Sequence, residues 1–149
     1  MEMEIMTVSG INLKMQGETK TEILREFADL AVVNGKVTDA AGFYKDLCLR
    51  EEESTTGFGG GIAIPHAKSA FVAEVGVLVG RGENQVAWEA MDNQPVHCWI
   101  CLLVPETGGQ EHLRLLSQLS RKLMDPEFVG KLKTGTENEI LALVQGVIS

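Results

Sequence analysis

The run Val96-His97-Cys98-Trp99-Ile100-Cys101-Leu102-Leu103-Val104 constrains the fold most, because it is apolar almost throughout. Alternate residues of a strand point to opposite faces, so this one presents hydrophobic side chains to both sides of its sheet. It reads as a central strand covered on both faces. The rest of the chain supplies the neighbours and the cover. Ile11, Leu13 and Met15 alternate, as do Val75, Val77 and Val79, and both segments predict strands. Thr19-Lys20-Thr21-Glu22 is a capping box, in which the hydroxyl and the carboxylate each satisfy a free helical N–H. Ile23, Leu24, Phe27, Leu30 and Ala31 then recur at helical spacing up to the stop at Asn34-Gly35.

Thr38 is placed to cap a second helix through about Arg50, with Phe43, Leu47 and Cys48 inward. Residues 110–124 are helical by period, with Leu113, Leu116, Leu119 and Leu123 along one side. Asp125-Pro126 opens a short helix, and the Thr136–Glu139 capping box opens the last, which carries Ile140, Leu141 and Val144. Strands mixed with helices at both ends predict an α/β sandwich, a sheet with helices on both faces. At 149 residues the chain is expected to be one domain, 1–149, large enough to bury a core without a metal or a disulfide.

Composition narrows the partners. A net charge of −8 disfavours nucleic acid and anionic lipid and suits a basic protein partner. Met1 to Met6 carry two glutamates and do not read as a secretory leader. No apolar run approaches the ~20 residues needed to span a bilayer. The expectation is a soluble, cytoplasmic protein. Cys48, Cys98 and Cys101 fit reduced thiols. Cys98 and Cys101 form a C-x-x-C, but on a strand residues three apart face opposite ways, so the two thiols should not converge.

Chemistry is concentrated after the second helix. Ser54-Thr55-Thr56-Gly57-Phe58-Gly59-Gly60-Gly61 reads as a loop whose four glycines in the last five positions permit positive φ and close approach to a ligand. Ile62-Ala63-Ile64-Pro65 then leads to His66. An imidazole is nucleophilic near neutral pH and can accept a group covalently, and loop amides can form a nest for an anion. Of the other histidines, His97 lies in the apolar strand and reads as a structural residue. His112, near a helix start, is by itself an ordinary polar residue. Arg50 reads as a solvated cation closing its helix. Lys68 reads as solvated. Nothing in the pattern argues for a metal or another cofactor.

The run from Thr55 to Ala67 closely resembles the phosphorylation-site signature of the fructose–mannitol class of phosphotransferase-system IIA domains. Arg50-Glu51 stands at the place of that family's upstream Arg-Glu pair, sixteen positions before His66. His112-Leu113 stands at the place of its second active-site histidine, 46 positions after His66. The likeness extends from about residue 11 to about residue 146.

The resemblance implies a three-layer α/β/α sandwich around a mixed sheet. It implies that His66 takes a phosphoryl group from the phosphohistidine of HPr and passes it to a IIB domain, which works with a membrane-embedded IIC. His112 is then the stabiliser of the phosphoryl oxygens and Arg50 a permanent charge beside them. Thr55, Thr56, Gly57 and Gly59 are the candidate phosphate-loop residues, the two hydroxyls either donating to phosphate or shaping the turn. Phe58 and Phe71 are either partner contacts or core. A nitrogen-regulatory IIA-like protein, acting on partners through its phosphorylation state, carries nearly the same motif and is the alternative to sugar uptake.

Overall fold

The computed structural model describes residues 5–90, 92–107 and 111–148, the side chains of Glu111 and His112 excepted. Six strands form one mixed sheet: β1 (Ile11–Met15), β2 (Gly57–Gly59), β3 (Ile62–Ala63), β4 (His66–Ser69), β5 (Gly76–Val86) and β6 (Val96–Pro105). Among the described residues five α-helices pack on it: α1 (Lys20–Val33), α2 (Ala40–Glu53), α3 (Glu111–Lys122), α4 (Pro126–Thr134) and α5 (Glu137–Ile148). The sheet runs β1-β5-β6-β3-β2, with β4 also paired to β6.

The apolar segment at 96–104 is the centre of this arrangement. β6 pairs antiparallel with β5 on one side and parallel with both β3 and β4 on the other. Its side chains divide between two cores. Trp99, Cys101 and Leu103, with Leu78 of β5, meet Ile23, Leu24, Phe27 and Ala31 of α1 and Phe43 and Leu47 of α2. Cys98, Ile100 and Leu102, with Val77 and Val79, meet Leu115 and Leu119 of α3, Phe128 and Leu132 of α4, and Ile140 and Val144 of α5. Helices therefore cover both faces, as an α/β sandwich requires. Cys98 and Cys101 fall in opposite cores, and burial pushes the Cys98 thiol up to about 12. Among the described residues no helix is long and apolar enough to cross a membrane.

The predicted caps form at three helices. Thr19 Oγ1 accepts from Glu22 N at 3.2 Å, Asp125 from Glu127 N at 3.0 Å, and Thr136 and Glu139 bond reciprocally. At α2 the cap is Asp39, not Thr38: Asp39 Oδ1 accepts from Ala41 N at 3.1 Å. Both the N–H and the hydroxyl of Thr38 instead donate to Phe71 O. The inner face of α3 also differs from expectation. Leu115 and Leu119 are buried whereas Leu113 is half exposed, so the helix is rotated to aim 115, 119 and 123 at the sheet.

Candidate active site

The segment expected to be a loop is a small β-hairpin. β2 and β3 pair antiparallel, joined by Gly60 and Gly61 at φ of 65° and 84°. Two residues with positive φ make the tight turn whose twist matches a hairpin, which is why glycines stand there. At Gly61 space adds a second demand, because a Cβ would lie 2.6 Å from the His97 ring. After β3 the strand is interrupted at Ile64-Pro65, proline having no N–H to give to the ladder. Pairing with β6 resumes at His66, opposite Leu102. The imidazole is thus carried on the first residue of a strand anchored to the centre of the sheet.

His66 Nδ1 lies 2.9 Å from Ile64 O. A carbonyl only accepts, so Nδ1 carries the hydrogen and the lone pair belongs to Nε2. The ring is buried, with 9% of the residue exposed, but it borders a cavity of about 380 Å³ that opens to solvent. Arg50, Asp46, Leu49 and Glu53 of α2 and Ala67 and Lys68 of β4 line the rest. Arg50 closes its helix and also borders the cavity: its Nη1 donates to Ser54 O at 2.9 Å, and its side chain lines the same space as His66. Lys68 is exposed at the rim.

The loop candidates are engaged elsewhere. Thr55 Oγ1 donates to Glu89 O at 2.6 Å and accepts from Gly57 N at 3.1 Å. Thr56 donates its N–H to Glu51 Oε2 at 3.3 Å and its hydroxyl to Glu51 Oε1. Both hydroxyls shape the turn. Gly57 is needed for close approach to backbone, since a Cβ would lie 2.0 Å from Glu89 O. Gly59, at φ 119°, begins the hairpin turn. None of these four residues lines the cavity beside His66. Nor does Gly60 N point into it: it donates to Asp92 Oδ2 at 2.8 Å, and this bond with that from Gln94 N holds the Asp92 carboxyl below its usual range. Phe58 and Phe71 are partly buried and pack against the two cores. His112 stands on the second residue of α3, and its side chain lies outside the described residues.

Sequence reasoning missed Asp46, Leu49 and Glu53. With Arg50 they stand at 46, 49, 50 and 53, the i, i+3, i+4, i+7 pattern of one helix face. That face was legible but mixed in chemistry, so no apolar stripe drew attention to it. Glu51 was also unassigned, although its carboxylate organises the start of the hairpin.

His97 borders a different cavity, of about 250 Å³, with Gly60, Gly61, Gln85, Asp92 and Lys133. Its buried Nδ1 has no hydrogen-bond partner among the described residues. Burial first, then the charges of Lys133 and Arg81, lower its pKa below the ordinary histidine value. The folded state therefore prefers the neutral ring. The stabilisation is complete above the unfolded histidine pKa near 6.5 and is lost as pH falls below it. Denaturant titrations of His97→Asn should show a flatter loss of stability between pH 7 and 5 than the parent chain. Identical slopes would mean that another group governs that window.

The sequence model of the EIIA 2 family of the phosphoenolpyruvate-dependent sugar phosphotransferase system matches residues 4–146. The PTS system fructose-like EIIA component of Escherichia coli (strain K12) is 39% identical over 147 residues, 99% of each chain. Among solved structures, the nitrogen regulatory protein IIA-Ntr of Neisseria meningitidis superposes with a TM-score of 0.86 at 31% identity, covering 94% of this chain and 96% of that one. The enzyme IIA for mannitol of Escherichia coli, solved in complex with phosphorylated enzyme IIB, has the same fold, with a TM-score of 0.78 at 22% identity and 94% and 96% coverage. With the family's sequence model spanning nearly its whole length, the chain belongs to the EIIA 2 family of the phosphoenolpyruvate-dependent sugar phosphotransferase system.

Proposed function

We propose that this chain works as one cytoplasmic domain, 1–149, and is the IIA phosphocarrier of a fructose-like sugar uptake system. His66 Nε2 attacks the phosphorus of phospho-HPr, the donor's N–P bond breaks, and a new N–P bond forms. In the second step a IIB cysteine takes the same phosphoryl group and the imidazole is regenerated, with sugar transport left to the membrane IIC. The observation that carries this reading is the bond from His66 Nδ1 to Ile64 O, which assigns the lone pair to Nε2 on a ring bordering a cavity that also holds Arg50. Phosphoryl transfer depends mainly on such positioning and on charge placed near the equatorial oxygens. Arg50 supplies that charge, Lys68 stands at the rim, and His112 is assigned to the phosphoryl oxygens.

Leu49, 50% exposed on the cavity wall, and Leu113, 52% exposed beside His112 in the chain, offer apolar contact to a visiting carrier. A phosphocarrier must release its partner after each transfer, which a small interface allows. The fructose-like assignment rests on the 39% identical relative matched end to end. The nitrogen-regulatory alternative has its support in the IIA-Ntr structure.

Transfer assays separate the two. Phospho-HPr of a sugar system should label the chain, and the label should then pass to the cysteine of a fructose-like IIB. Label accepted from a nitrogen-system HPr but delivered to no IIB would replace uptake with regulation. His112→Ala should still accept phosphate while passing it on slowly. Total loss of acceptance in that variant would contradict the division of labour between the two histidines.

A further inference from the structure

The carboxylate of Glu51 is the most heavily engaged acid near the site, and the chemistry described so far leaves it without a part. Only 5% of its side chain is exposed. It accepts from both the N–H and the hydroxyl of Thr56, and Lys20 Nζ stands 3.5 Å from its Oε2. Thr56 in turn offers its carbonyl to Ile64 N at 3.0 Å. Ile64 offers its own carbonyl to His66 Nδ1 at 2.9 Å. An unbroken chain of hydrogen bonds thus leads from the end of α2 to the ring that carries the lone pair.

We propose that Glu51 is a positioning residue for His66, acting through Thr56 and Ile64 to hold the imidazole in its Nδ1–H tautomer and in line with the cavity. Each link has a physical reason. A buried carboxylate requires donors, and Thr56 supplies two from one residue, which pins both its backbone and its rotamer. A pinned Thr56 carbonyl holds Ile64 N–H at the interruption between β3 and β4, where Pro65 has no N–H to give and is tied to β6 only by its carbonyl, which accepts from Leu102 N at 3.0 Å. A fixed Ile64 carbonyl then selects which ring nitrogen bears the hydrogen. Bonds in such a series polarise one another, so loss at the carboxylate end is felt at the ring. Lys20 balances the charge without touching the hairpin.

The inference rests on His66 being the phosphoryl acceptor for its kinetic consequence, but not for its structural one, and the two can be read separately. Nitrogen-15 spectra of the histidine rings report the tautomer directly. The parent chain should show His66 protonated at Nδ1, whereas Glu51→Gln and Thr56→Val should move both ring nitrogens towards the averaged shifts of exchanging tautomers. In single-turnover transfer from phospho-HPr, both variants should lose about tenfold or more in maximal rate. The donor concentration giving half that rate should stay within about twofold. The double variant should be no slower than Glu51→Gln alone, because both changes cut one series.

Thr56→Val is close to isosteric and carries the test if Glu51→Gln does not fold. Parent-like ring spectra in a folded variant would overturn the inference, as would fully additive rate losses or a loss confined to donor affinity. If the parent chain takes no label on His66, the functional reading fails and the ring spectra alone decide the positioning role.

Discussion

Replacing His66 by alanine should abolish phosphoryl labelling of the chain by phospho-HPr while leaving the fold in place. The expected loss is complete because the ring supplies the bond-forming atom. With Nδ1 committed to Ile64 O, the proposed nucleophile is Nε2, and alanine has nothing to offer in its stead. His97 cannot substitute, since its Nδ1 is buried and its ring borders the cavity on the Lys133 side, away from Arg50. The fold should survive because His66 β-pairing is made by backbone to β6 and the side chain faces a cavity. Radiolabel transfer followed over minutes, with circular dichroism as the control, decides the point. A folded His66→Ala chain labelled at a rate near the parent's would remove the residue from the mechanism.

The largest expected effect on stability lies in the core and not at the site. Trp99 is 1% exposed at the middle of β6 and packs edge-on against Phe27 at 6.5 Å and tilted against Trp88 at 6.1 Å. Truncation to alanine removes a large buried surface and leaves a cavity between the sheet and α1, at a cost of about 3–5 kcal/mol. Trp99→Phe should lose distinctly less. It keeps an aromatic contact with Phe27 and Trp88, and it also deletes the indole Nε1–H, which is buried without a hydrogen-bond partner among the described residues. Urea unfolding of the two variants measures the difference. A cost for alanine below about 1 kcal/mol would show that the two-core description places Trp99 wrongly.

The layers were legible in the sequence because β6 is apolar on both faces, so it had to be covered twice. The helices were legible because α1, α4 and α5 announce themselves with caps whose hydrogen bonds are local. At α2, Thr38 and Asp39 are both able to cap, and the choice was made by Phe71 O, 33 residues away from Thr38. β2, β3 and β4 span three, two and four residues, too few for a period to show. The second half of β5, Arg81 to Gln85, is polar and reads as loop until its pairing with neighbours is known.

At the site the same division holds. His66 stood out by its local pattern and Arg50 only through the family resemblance, and the two border one cavity. The hydroxyls of Thr55 and Thr56 could be read as phosphate donors or turn formers, and their tertiary partners, Glu89 O and the Glu51 carboxylate, leave no mark in the local pattern. One glutamate of the run Glu51-Glu52-Glu53 at a helix end carries no sign that it, and not its neighbours, will be buried.

The central claim is that one nitrogen of one histidine carries the phosphoryl group. Incubating the unaltered chain with phosphoenolpyruvate, the general phosphotransferase enzyme and HPr, then recording phosphorus and ring-nitrogen spectra, tests it most directly. The account predicts a single phosphohistidine at His66 with phosphorus bonded to Nε2. Phosphorus on Nδ1, or on any other residue, would contradict it.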